Sequence, residues 1–161
     1  MEGRRVSESV TNMAVTMNPE DANPYGNVHG GVIMKYVDTA GGAAAIRHSR
    51  TNCVTASIDR LDFHSPVFIG DLLILKASVN YVGKTSLEVG VRVEAENLRT
   101  GQVRHTASAY LTFVALDANG KPTEVPPLIT ETADEKRRQC EAEIRRKYRL
   151  EERRKEKDCS L

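Results

Sequence analysis

Asn23-Pro24-Tyr25-Gly26-Asn27-Val28-His29-Gly30-Gly31 runs directly into Val32-Ile33-Met34-Lys35-Tyr36-Val37-Asp38, and this junction decides the fold. Asparagine, proline and glycine make the first segment a turn-rich loop, whereas the second has the apolar spacing of a buried helix. At 100° per residue, Ile33, Tyr36, Val37, Ala40 and Ala44 share one side, which predicts a helix over about residues 31–46. Asp38 falls opposite that side, level with Gly31, Lys35 and Gly42. A loop that opens into a helix offers unpaired N–H groups and the positive end of the helix dipole, which favour a developing negative charge. A carboxylate two turns further on adds an acid–base group. The pairing points to acyl transfer.

Working outward, residues 6–17 mix β-formers with polar residues and read as a first strand. Behind the helix, residues 73–81, 87–95 and 107–113 alternate apolar and polar, the signature of half-buried strands. Residues 53–64 differ: Val54, Ala56 and Ile58 set one phase, and Leu61 and Phe63 the other. A phase switch of that kind predicts a β-bulge. Val82-Gly83-Lys84-Thr85 and Leu98-Arg99-Thr100-Gly101-Gln102 are hairpin-length links, so an antiparallel meander is expected, with one long helix against it. The fold class is therefore α+β.

Asn119-Gly120-Lys121-Pro122 and Pro126-Pro127 close this unit, dividing the chain into a domain at 1–128 and a charged helical extension at 129–161. In the extension, Glu141/Arg145, Glu143/Lys147 and Glu151/Lys155 have favourable i,i+4 spacing. Cys140, Ile144 and Tyr148 form a narrow apolar stripe, predicting docking as far as Leu150 and fraying beyond. Residues 134–158 carry eleven Lys/Arg against eight Asp/Glu, so the basic excess of this +1 chain lies in the tail. The interspersed acids favour a solvated helix over a nucleic-acid or lipid surface. Three scattered cysteines give neither a disulfide framework nor a zinc site and fit a reducing compartment. No stretch approaches the roughly 20 apolar residues of a membrane span, and no apolar segment follows the charged start. The expectation is a cytoplasmic protein with no membrane span and no nucleic-acid partner.

The ordered set Gly26-Asn27-Val28-His29-Gly30-Gly31, Met34-Lys35-Tyr36-Val37-Asp38-Thr39-Ala40-Gly41-Gly42, Phe63-His64-Ser65-Pro66-Val67 with Gly70-Asp71, and Gly83-Lys84-Thr85-Ser86 resembles the acyl-CoA thioesterases of the hot-dog superfamily. The resemblance covers roughly residues 10 to 150. It implies a sheet wrapped on the central helix, and hydrolysis of acyl-CoA to a fatty acid and CoA with no cofactor and no metal. It also implies protomers paired as dimers, commonly three pairs in a hexamer. The active site is then shared, with Asn27 of one protomer facing Asp38 of the other.

Thioester hydrolysis needs a nucleophile and stabilisation of the carbonyl oxyanion. Asp38 qualifies as general base or as nucleophile, and the sequence does not separate the two; the bland alternatives are an ion pair with Lys35 and a cap on a partner helix. Gly41 and Gly42 would leave room beside the carboxylate. Gly30 and Gly31 suit a helix start approached by a carbonyl, or else a turn needing positive φ. His29 reads as an orienting group, and Asn27 as a water- or carbonyl-orienting amide. Arg60, Lys84, Thr85 and Ser86 are candidates for the CoA phosphates, and Met34 and Val67 for the acyl tunnel. His64 reads as structural. The competing readings are a non-catalytic acyl-CoA-binding or regulatory module, and a hydroxyacyl dehydratase using His29 with Asp38.

Overall fold

The computed structural model describes residues 1–159, so the last two residues of the 129–161 extension lie outside it. The long helix α1 spans Gly30–Ser49, and it buries Ile33, Val37, Ala40, Gly41, Ala44, Ala45 and His48. Arg50 ends it in the left-handed conformation at φ 58°. The strands are β1 (Arg4–Arg5), β2 (Thr11–Thr16), β3 (Asn52–Phe63), β4 (Leu72–Val82), β5 (Ser86–Glu96), β6 (Val103–Leu116) and β7 (Leu128–Ile129). The second helix, α2, covers Ala133–Asp158.

Five strands form one antiparallel sheet in the order β2-β4-β5-β6-β3. Only β4-β5-β6 is a meander; β3 pairs with β6 at the far edge and not with β4. The physical reason is α1. Twenty residues of helix extend about 30 Å, enough to carry the chain from the β2 edge across the sheet to the opposite edge. The first strand is also shorter than its sequence pattern. Val6–Glu8 is a 3₁₀ turn, and Arg4–Arg5 pair in parallel with Leu128–Ile129.

One face of the sheet packs on α1 through Leu73, Leu75, Val89, Val91, Leu111 and Phe113, all essentially inaccessible. Gly41 and Gly42 are small because of this core. A Cβ at Gly41 would stand 3.2 Å from the Phe113 ring and one at Gly42 3.7 Å from it. The space beside Asp38 that the two glycines were expected to leave is thus taken up on the inner side by an aromatic ring. Phe113→Ala should cost about 3–5 kcal/mol, the usual range for emptying a buried aromatic site, read as a lowered urea midpoint.

His48 is fully buried, with Nε2 2.9 Å from the Pro126 carbonyl oxygen and Nδ1 without a partner. Nε2–H therefore donates to that carbonyl and the ring is neutral. Burial, opposed in part by this hydrogen bond, holds its pKa below the ordinary 6.5. In the window between the folded value and 6.5 the unfolded chain binds the extra proton, so stability falls as pH drops below about 6.5. Urea midpoints at pH 7.5 and 5.5 should show this loss, and His48→Gln should reduce it.

The opposite face of the sheet carries α2, capped by Thr132 in a capping box with Glu135. Its docking surface is not the expected stripe. Ile144 and Tyr148 are 50% and 67% exposed, and Cys140 is exposed too, whereas Ala142 is completely buried. Arginines supply the contacts. Arg145 pairs with the buried Glu88 at 2.7 Å and lies 3.7 Å from the centroid of the Tyr110 ring. Arg149 pairs with Asp59 and donates to Thr112 Oγ1 at 2.8 Å. The outer face of the sheet is polar, so it selects guanidinium groups, whose long stems pack while their heads bond. Arg145 is thereby drawn from its expected partner Glu141, which pairs with Arg137. Beyond Leu150 the helix continues to Asp158, fully exposed.

Candidate active site

Asp38 is half-buried on α1, and its Oδ1 accepts a hydrogen bond from Thr55 Oγ1 at 2.5 Å. No ion pair joins it to Lys35 among the described residues, which removes that bland alternative. Thr55 lies on β3 opposite Phe113, the residue that faces α1, so its hydroxyl points to the helix side. The pairing register then slips twice, between Thr55 and Ser57 and between Ile58 and Arg60. The bulge expected near Ile58 and Leu61 is present, doubled.

The loop ahead of α1 is built around Asn23. Its Oδ1 accepts from the backbone N–H of Tyr25 (2.9 Å) and of Asn27 (3.2 Å), and its own N–H donates to the Asn27 carbonyl at 2.7 Å. Two backbone donors fix which end of the amide is oxygen, leaving the Asn23 NH₂ as a donor with no hydrogen-bond partner among the described residues. Gly26 supplies the positive φ of this turn, 84°; Gly30 and Gly31 do not. Isolated bridges from Ala22 to Val28 and from Asn27 to Phe68 tie the loop down. Asn27 is thus held by its backbone, and its side chain makes no hydrogen bond within the described chain.

His29 is the N-cap of α1, with Nδ1 accepting from Gly31 N–H at 2.9 Å. That bond consumes the Gly31 donor and leaves Gly30 N–H as the helix-start group with no partner among the described residues. The Phe63 ring lies 3.5 Å from where a Gly30 Cβ would stand, so glycine keeps this approach open.

The other candidates scatter. Lys84 is exposed, and the Lys84 and Thr85 carbonyls accept from Val125 and Ala115 N–H. Ser86 pairs with Val114, one row beyond Thr55–Phe113–Leu87, which places this hairpin at the Thr55 end of the sheet. Arg60 pairs with Asp62 at 2.5 Å. Met34 is 40% exposed, whereas Val67 is in the core at 1%. His64 stacks at a tilt on His105, with centroids 4.8 Å apart. Cys53 is no rival nucleophile, because burial pushes its thiol pKa up and the Ser49 hydrogen bond opposes this only in part.

The structure therefore forms two clusters, Asp38–Thr55 and the 23–31 loop. Asp38 stands eight positions after Gly30, which at 1.5 Å per residue is about 12 Å along the helix. Thr55 and Asn23 were missed in the sequence. The usable signals were a hydroxyl just ahead of the phase switch, and an Asn heading a Pro-containing turn, the usual Asx-turn position.

A helix lying across one face of an antiparallel sheet, with a donor-rich loop at its start and a carboxylate on its open side, is the hot-dog arrangement. The Thioesterase superfamily model matches residues 25–102. YkhA of Bacillus subtilis, described as an uncharacterized acyl-CoA thioester hydrolase, is 44% identical over 117 residues, covering 73% of this chain and 68% of that protein. The rat cytosolic acyl coenzyme A thioester hydrolase is 39% identical over 139 residues, but this chain spans only 36% of its length. Among solved structures, an apo-hexameric acyl-CoA thioesterase superposes with a TM-score of 0.91 at 38% identity, covering 94% of this chain and 97% of the other. An acyl-CoA hydrolase from Staphylococcus aureus in complex with butyryl coenzyme A, coenzyme A and coenzyme A disulfide gives 0.89 at 34%, covering 97% and 95%. Structures of that enzyme include variants with an aspartate, an asparagine or a threonine replaced by alanine. The chain belongs to the acyl-CoA thioester hydrolase family.

Proposed function

We propose that this protein hydrolyses acyl-CoA to a free acid and CoA in a site completed by a second copy of the chain. The observation that carries the reading is the half-buried Asp38 carboxylate, oriented by Thr55 on the open side of α1 in a member of this family. Its separation of about 12 Å from its own helix start is too long for one carbonyl group to touch both. Two α1 helices packed antiparallel bring the Asp38 of one protomer to the 23–31 loop of its partner. The β3 edge supports such pairing: the strand is twelve residues long, pairs on its outer side with no other strand among the described residues, and carries exposed Val54, Ile58 and Phe63. The hexameric relatives support further assembly into three such pairs.

In this reading Thr55 holds Oδ1, and Oδ2 takes a proton from water as the water oxygen bonds to the carbonyl carbon. The oxyanion is met by Gly30 N–H and a side-chain amide. Collapse breaks the C–S bond, and the CoA thiolate leaves and takes the proton from Asp38 Oδ2, which restores the carboxylate. Direct attack by the carboxylate, followed by hydrolysis of the mixed anhydride, uses the same groups. Either Asn27, which the sequence favours, or Asn23 can be the amide. We take Asn23: its NH₂ has no partner among the described residues, and it stands fifteen positions before Asp38, with Thr55 seventeen after. The replaced asparagine, aspartate and threonine of the Staphylococcus aureus enzyme have the same spacings. His29 and Gly31 then shape the helix start without touching substrate. Lys84, Thr85, Ser86 and Arg60 are proposed for the CoA phosphates, and Met34 and Val67 for the acyl channel. No cofactor or metal is assigned to the reaction. The relatives named cytosolic support a cytoplasmic setting.

The test is thiol release from acyl-CoAs of increasing chain length, with the background of the three cysteines subtracted. Continuous release with a chain-length optimum is expected. Binding without release would make this a binding module, and a new double bond from hydroxyacyl-CoA without thiol would make it a dehydratase.

A further inference from the structure

Asp59 is the extra residue of the second β3 bulge, between Ile58, paired with Leu111, and Arg60, paired with Tyr110. Its carboxylate does not enter solvent freely; the side chain is 11% exposed. It accepts from Ser57 Oγ at 3.0 Å, from Thr112 Oγ1 at 3.1 Å and from the Arg149 guanidinium of α2. These partners are a β3 residue just past the first bulge, a residue of the neighbouring strand β6 and a residue of α2. Thr55 sits immediately before that bulge and faces α1; Ser57, two residues later, pairs with Thr112 on the outer face. The slip is what lets one strand present Thr55 to Asp38 and Ser57 to Asp59. Bulged strands twist and are locally unpaired, so their geometry needs an outside hold.

We propose that α2 is part of the catalytic apparatus: the Arg149–Asp59 pair clamps the β3 bulge from outside and so positions Thr55 on Asp38. Arg149 and Asp59 are positioning residues, neither touching substrate, and the inference rests on the thioesterase reading of Asp38. The clamp is separable from the docking of α2, because Arg145–Glu88 with Tyr110, and buried Ala142, hold the helix two turns or less away. Loss of alignment without loss of a binding group lowers kcat and leaves KM in place.

The experiment compares Arg149→Met, Arg149→Lys and the control Arg137→Met, whose guanidinium bonds, among the described residues, only Asp134 and Glu141 within α2. Arg149→Met should lower kcat about 10-fold or more with KM within about twofold, Arg149→Lys should recover part of it, and Arg137→Met should be unchanged. In a Thr55→Val background Arg149→Met should add little, because both changes act on one contact. Amide hydrogen exchange over residues 55–60 should quicken in Arg149→Met and not in Arg137→Met, a readout that needs no activity. Unchanged kcat and exchange in folded Arg149→Met overturn the clamp, as does a loss fully additive with Thr55→Val. If Thr55→Val and Asp38→Asn both leave hydrolysis intact, the active-site reading fails instead, and the exchange result still decides whether Arg149 holds the bulge.

Discussion

Asp38→Asn is expected to lower kcat by about 10²–10⁴-fold, the range for a positioned acid–base group, while the protein stays folded. The substitution is isosteric, and the amide oxygen can still accept the Thr55 hydroxyl that now bonds Oδ1 at 2.5 Å. What disappears is the acceptor for the proton of water, or the nucleophilic oxygen if attack is direct. Asp38 makes no ion pair among the described residues and is only half-buried, so its replacement should change stability by no more than about 1 kcal/mol. A fall in kcat with a melting transition shifted by no more than about 4 °C is the expected pair of results. Near-normal turnover would remove Asp38 from the chemistry.

Asn23 should matter nearly as much. Its amide is expected to contribute about 10²–10³-fold to kcat, as a donor to the developing oxyanion. Replacement by alanine would also break the turn, because Oδ1 accepts from Tyr25 and Asn27 N–H. Asn23→Asp separates the two roles: a carboxylate keeps both acceptor bonds and lacks the NH₂. It should therefore keep the loop and lose the rate, whereas Asn27→Ala should cost less than about 10-fold. The reverse ranking would return the role to Asn27.

The sequence made α1 legible because one buried helix face leaves a 3.6-residue period, and β4, β5 and β6 because half-burial leaves a period of two. Even the bulge showed as a change of phase at Ile58–Leu61. Strand order was hidden, since β3 alternates no differently at the edge of the sheet than it would beside β4. The docking face of α2 was misread for a related reason. Apolar residues mark a contact only where the partner surface is apolar, and here Glu88, Asp59 and Thr112 select Arg145 and Arg149. The site was half legible. An isolated carboxylate on a helix is visible in one dimension, but Thr55 lies ahead of the register slip, on the strand face opposite the apolar phase of Val54, Ala56 and Ile58, and Asn23 stands out only when its two backbone donors are seen.

The central claim is that Asp38 of one protomer works with the 23–31 loop of another. Its most direct test mixes two inactive variants, Asp38→Asn and Asn23→Asp, after dissociation and reassembly. Random pairing under two-fold symmetry makes half the dimers mixed, each with one intact and one doubly altered site, so about a quarter of the wild-type rate should return. Activity that stays at the level of the separate variants, in mixtures shown to have exchanged subunits, would contradict a site shared between protomers.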